Sequence, residues 1–145
     1  MEKINTYKDF ADDDYNFYVK AMESGDVPNS IGATSQIICE RYLKHVINKY
    51  FKPKNDEESD TKTECLRTHN LKKLINVIST FAEIDDDTVA KIKAADGYYF
   101  STRYPGDDAM IMTQRDIDAC ISAIKAAKSF VERYEESVKA NTEKK

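Results

Sequence analysis

From Ile117 to Val138 apolar side chains recur at steps of three and four without a break, through Cys120, Ile124, Ala127, Val131 and Tyr134. Only a helix of about 3.6 residues per turn gathers such a series on one face, so the spacing predicts a long amphipathic helix closing the chain. Thr113, with Asp116 three residues on, has the form of a capping box at its start. Beyond the helix, Asn141 to Lys145 is polar and reads as a frayed tail.

The same period appears upstream. Tyr7, Phe10, Ala11, Tyr15, Tyr18, Ala21 and Met22 predict a helix over residues 6–24, stopped by Ser24, Gly25 and Asp26. Pro28 suits a first helical turn, and Ile31, Ser35, Ile38, Tyr42, Val46 and Tyr50 carry a second helix to Phe51. The stretch 52–62 (KPKNDEESDTK) has no apolar residue to hold it on a core and reads as a mobile loop. Leu66, Leu71, Leu74, Ile78 and Phe81 predict a third helix to about Thr80. Asp85, Asp86 and Asp87 suit the positive end of a fourth, which runs through Val89, Ile92, Ala95 and Tyr99 to Thr102 and ends before Pro105. No strand alternation and no internal repeat is present. The expected fold is all-α, an antiparallel up-and-down bundle of four to five helices.

The size and the balance of residue types agree with this. The 145 residues are 41% apolar with only four Gly and three Pro, which suits one helical domain spanning 1–145 and excludes a disordered chain or a many-stranded sandwich. A net charge of -4 argues against non-specific coating of nucleic acid or an anionic membrane. Cys39, Cys65 and Cys120 make no CxxC pair and no disulfide framework, so they read as reduced, packed thiols. No apolar run serves as a signal peptide or reaches the roughly 18 residues of a membrane span, so the expected location is cytoplasmic.

Among residues suited to chemistry, His45, His69 and the three cysteines show no zinc-ligand spacing. Asp12, Asp13 and Asp14 are adjacent and point in three directions, a solvated face rather than an ion site. No phosphate-cradling glycine loop and no GxSxG elbow is present, so no metal, cofactor or catalytic group is assigned. Two constellations remain. Gln36, Glu40 and Lys44 stand at i, i+4 and i+8 on an otherwise apolar helix, either as a solvated seam or as part of a site. The run YYFSTRYPGD, Tyr98 to Asp107, crowds aromatic rings around Arg103. A guanidinium there can bind phosphate or carboxylate and stack on rings, or simply satisfy carbonyls at its own helix end or pair with a bundle carboxylate. His69, at the start of the third helix, reads as a cap or a hydrogen-bond partner across the bundle, and His45, beside Lys44 and Lys49, as a surface residue.

In order and spacing, SQIICERYLKHVI (Ser35 to Ile47), THNLKKLI (Thr68 to Ile75), YYFSTRYPGD and the long closing helix resemble the HEPN domain family. In that family the second helix carries Q-x-x-x-E-x-x-L-K, the third opens with His-Asp-Leu, and the fourth ends in Thr-Arg-Tyr-Pro; here Asn70 replaces the usual Asp. The resemblance covers most of the chain, from the first helix to about residue 138. It implies an antiparallel bundle that commonly dimerises, alone or beside a minimal nucleotidyltransferase, with nucleotide binding or metal-independent RNA cleavage as its roles. Its RNase branches carry an Arg followed by four to six residues and a His. After Arg103 those places hold Asp108, Ala109 and Met110, while Arg41–His45 and Arg67–His69 are spaced too closely. Cleavage chemistry needs a group that titrates near neutrality. The resemblance therefore implies a non-catalytic protein that binds a nucleotide or a protein partner around Arg103, Tyr104 and Tyr99, with Glu40, Lys44 and His69 nearby. The rival expectations are an RNase toxin or effector with a diverged site and a purely structural partner subunit. Nine Tyr and six Phe exceed what one small core hides, which adds to the expectation of a homodimer.

Overall fold

The computed structural model describes residues 4–143; two of the five residues read as a frayed tail lie outside them, and the other three continue the last helix. Every regular element among them is helical: α1 Tyr7–Ser24, α2 Ile31–Tyr50, α3 Asp56–Cys65, α4 Leu71–Ile78, α5 Asp86–Lys93, α6 Tyr98–Ser101 and α7 Gln114–Glu143. No helix among them is long and apolar enough to cross a membrane. The helix α2 is the hub. It packs against α1, α4, α6 and α7, while α5 lies on α7. Ile38, Tyr42, Leu43, Val46 and Ile47 of α2 are fully buried with Leu71, Leu74 and Ile78 of α4 and Cys120, Ile124 and Ala127 of α7. The three thiols are free and buried within this cluster.

The helix ends follow local chemistry. Thr6 and Asp9 form a reciprocal capping box on α1, and Gly25 closes that helix at φ 80°, a conformation that only glycine adopts cheaply. Thr113 and Asp116 bond each other's backbone N–H at 3.2 and 2.9 Å, the box expected at the start of α7. Asn70 caps α4 by accepting from the Lys73 N–H at 2.9 Å, which explains why Asn serves where the family pattern has Asp.

Three expectations are corrected. Residues 52–62 are not a plain loop, because α3 occupies most of them. Asn55 caps it, three acids fill its first turn, and Lys62 in its last turn donates to the carbonyls of Asn48 (3.1 Å) and Phe51 (2.9 Å). End charges and capping stabilise it where apolar anchors are lacking; only Cys65 is buried. The expected fourth helix breaks in two, since Gly97 at φ 90° turns the chain between α5 and α6. His45 is 5% exposed rather than on the surface, its Nε2 lying 3.1 Å from Glu135 Oε2 of α7.

Candidate functional site

The polar seam of α2 faces inward. Gln36, Glu40 and Lys44 are 1%, 2% and 8% exposed, and each meets a polar partner. The Gln36 side chain bridges two segments distant in sequence: its Nε2 donates to the His69 carbonyl, and its Oε1 accepts from the Tyr99 N–H at 2.7 Å. One turn on, Glu40 Oε1 lies 2.8 Å from His69 Nδ1 and 3.8 Å from Lys44 Nζ. Residue 69 is thus held by its backbone and by its ring from one face of α2.

That clamp arranges an aromatic face. The His69 ring stacks on Tyr99 with centroids 3.9 Å apart and planes 11° from parallel. The Arg103 guanidinium carbon lies 5.0 Å from the Tyr99 centroid and 5.5 Å from that of Tyr104. Phe100, 61% exposed, and Tyr104, 48% exposed, continue the surface with centroids 6.0 Å apart. Beside it, Gln36, His69, Asn70, Asp96 and Gly97 line an open cleft of about 420 Å³.

Elements on both sides fix this surface. Asp96 accepts from the Leu71 N–H at 3.0 Å, joining the start of α4 to the turn before α6. Thr102 accepts from the Ala33 N–H at 2.9 Å, and a Cβ on Gly32 would come within 2.6 Å of Thr102 Cγ2, so only glycine lets these two segments approach this closely. Asn29, which the sequence did not single out, donates to the carbonyls of Thr102 and Met110 and accepts from the Met112 N–H. Its signal was a polar residue next to Pro28, which reads as an ordinary turn former.

Electrostatically the site has a buried ion pair in its interior and an exposed cation at its rim. Burial raises the Glu40 carboxyl above its ordinary value, with Lys44 and His69 opposing. Burial likewise lowers the Lys44 ammonium, with Glu40 opposing. At the rim, the exposed Arg103 guanidinium makes no ion pair and no side-chain hydrogen bond among the described residues; it rests only on rings. The two roles that would have tied it to its own helix end or to a bundle carboxylate are not what the geometry displays. The larger groove between α5 and α7, about 660 Å³, differs in this respect. Its Lys91, Lys125 and Arg133 each face a carboxylate, those of Asp87, Glu23 and Asp85. Among the described residues no group of His, Cys, Asp and Glu is placed to hold a metal ion.

All six residues expected to form the site, Glu40, Lys44, His69, Tyr99, Arg103 and Tyr104, lie in this one connected cluster. Gln36 joins them as the bridge. In comparison with known proteins, the family model described as HEPN domain matches residues 59–137, more than half of the chain. The matched stretch holds His69, Tyr99, Arg103 and Tyr104 and leaves the α2 seam outside. No curated protein and no solved structure matches the chain.

Proposed function

The chain belongs to the HEPN domain family, and on that premise we propose that it binds a nucleotide, free or at an RNA end, on the face made by His69, Tyr99, Arg103 and Tyr104. The supporting observation is Arg103: an exposed guanidinium over two tyrosine rings, with no anion of its own chain to pair with. Rings strip part of the water from one side of the cation, and its planar fork matches two phosphate oxygens at once. Phe100 and Tyr104 supply exposed rings on which a base can stack.

The test is a calorimetric titration with a panel of nucleotides. Arg103→Ala should weaken binding by about tenfold or more, the scale of a lost charge-assisted contact. Arg103→Lys should weaken it as well, because a lysine keeps the charge but not the fork. A parent protein that binds no nucleotide at millimolar concentration overturns the reading and leaves a protein partner, such as a minimal nucleotidyltransferase, as the function of this face. Equal affinity of all three proteins clears Arg103 of the role.

A second reading, an RNase with a displaced site, is favoured by the Glu40–His69 contact, since a carboxylate behind an imidazole is the arrangement of an acid–base pair. RNA cleavage in EDTA that disappears in His69→Ala would establish it. Self-association belongs to the main proposal, because Phe10, Phe17, Phe100, Tyr104 and Ile111 all stay exposed in one chain. Light scattering should give the mass of a dimer; a monomer mass at tens of micromolar would remove that part. The three unpaired thiols suit the reducing cytoplasm, where we place the protein.

A further inference from the structure

Glu40 does more than neutralise Lys44. Its carboxylate is buried, and its nearest partner is the Nδ1 of His69 at 2.8 Å, with its second oxygen at 3.3 Å. A carboxylate can only accept, so Nδ1 must carry the proton. In a neutral imidazole that leaves Nε2 with a lone pair and no proton. Among the described residues Nε2 has no hydrogen-bond partner, and the His69 side chain is 40% exposed. Stacking on Tyr99 sets the plane of the ring, and the Glu40 contact sets which nitrogen faces inward. The rim therefore offers a fixed acceptor at His69 and a fixed donor fork at Arg103.

The two lie close enough for one nucleotide to reach both. Both groups lie against Tyr99, so the His69 ring centre and the Arg103 guanidinium carbon are no more than about 9 Å apart. A phosphate held on Arg103 can bring the hydroxyl next to it within reach of the imidazole, and the exposed rings of Phe100 and Tyr104 are open to a base.

We propose that the Glu40–His69 pair makes the face selective for ribonucleotides: His69 Nε2 accepts a hydrogen bond from a sugar hydroxyl adjacent to the phosphate held by Arg103, and Glu40 is the positioning residue that fixes the acceptor. The inference rests on the nucleotide-binding reading and adds sugar discrimination to it. A deoxyribose offers no donor there and leaves Nε2 unpaired in the complex.

The experiment titrates the full chain with adenosine 3′-monophosphate and with its 2′-deoxy form, which have the same charge and base. The ribose form should bind about fivefold more tightly, the worth of one neutral hydrogen bond. In Glu40→Gln, whose amide can donate as well as accept, the ratio of the two affinities should fall below about twofold, because the amide no longer dictates the tautomer. Imidazole nitrogen chemical shifts in the parent should report the proton on Nδ1 of His69; this readout needs no variant and stands even if Glu40→Gln does not fold. A proton on Nε2, or equal affinity of the parent for the two ligands, overturns the sugar-selectivity inference and leaves nucleotide binding intact. Binding of neither ligand at millimolar concentration overturns the nucleotide-binding reading and this inference with it.

Discussion

Glu40→Ala is expected to lower the stability of the chain by about 3 to 5 kcal/mol at neutral pH, the cost of leaving a buried partner charge unpaired. Lys44 stands 3.8 Å from the carboxylate at 8% exposure and would lose its only ion-pair partner among the described residues. The direction of both shifts sharpens the expectation. A carboxyl raised by burial and an ammonium lowered by burial are groups whose charged forms fit the folded state less well than water. For Glu40 the sign is that of a raised folded pKa: its contribution is favourable at low pH and is lost as pH rises through that value. Mutual attraction thus offsets only part of what burial costs the two charges. Replacing both members should then differ from replacing one. Glu40→Leu with Lys44→Met is expected to recover stability to within about 1 kcal/mol of the parent or to exceed it, as buried ion pairs exchanged for apolar residues commonly do. Urea unfolding of the parent, the single variant and the double variant decides the matter. A double variant as unstable as Glu40→Ala would mean that the carboxylate holds His69 and the α2–α4 contact in place by more than charge. A stable double variant that has lost the ligand would locate the reason for the pair in the site.

The sequence displayed this pair without displaying its burial. Spacing alone placed Gln36, Glu40 and Lys44 on one stripe of a helix, but a polar stripe reads the same whether it meets water or partners from another segment. The deciding contacts join residues 33 and 63 positions apart along the chain, those of Gln36 with His69 and Tyr99. Periodicity has no access to such contacts. It was sufficient for α1 and α7, whose apolar faces recur over many turns, and for the presence of helix at α2 and α4. It failed at α3, where the stabilising groups are Asn55, the first-turn acids and Lys62 rather than an apolar face. It also passed over Gly97, because one glycine inside a helical pattern is compatible with either a costly helix or a left-handed turn; here φ is 90°. That turn separates α5 from the short helix that carries Tyr99, so a local feature the pattern did not resolve helps to build the rim of the site. The misreading of His45 has a related origin. Two neighbouring lysines suggested water, while the residue that buries it, Glu135, is 90 positions away.

Glu135 gives the second large effect, an acid-sensitive clasp between α2 and α7. Burial would push its carboxyl up, yet Tyr50, His45 and Lys49 all reach Oε2, at 2.6, 3.1 and 3.0 Å, and together they hold it down at about 2. A carboxylate whose folded value lies below its ordinary 4.5 stabilises the fold above pH 4.5, and that contribution is lost as pH falls towards 2. The shift corresponds to roughly 2 to 3 kcal/mol, allowing for screening of Lys49, which is 56% exposed. Glu135→Gln should therefore be less stable than the parent by about that amount near pH 6, and the gap should shrink to about a quarter of it by pH 2.5. Comparing the two at each pH removes the titration of all other carboxylates, which they share. Tyr50→Phe should give a smaller loss with the same pH dependence, because it removes the shortest of the three contacts and leaves the other two. A gap between parent and Glu135→Gln that stays constant from pH 6 to pH 2.5 would show that the residue acts through packing alone. A gap that narrows would show that the Glu135 charge ties α7 to α2, the helix that carries Gln36 and Glu40 to the site.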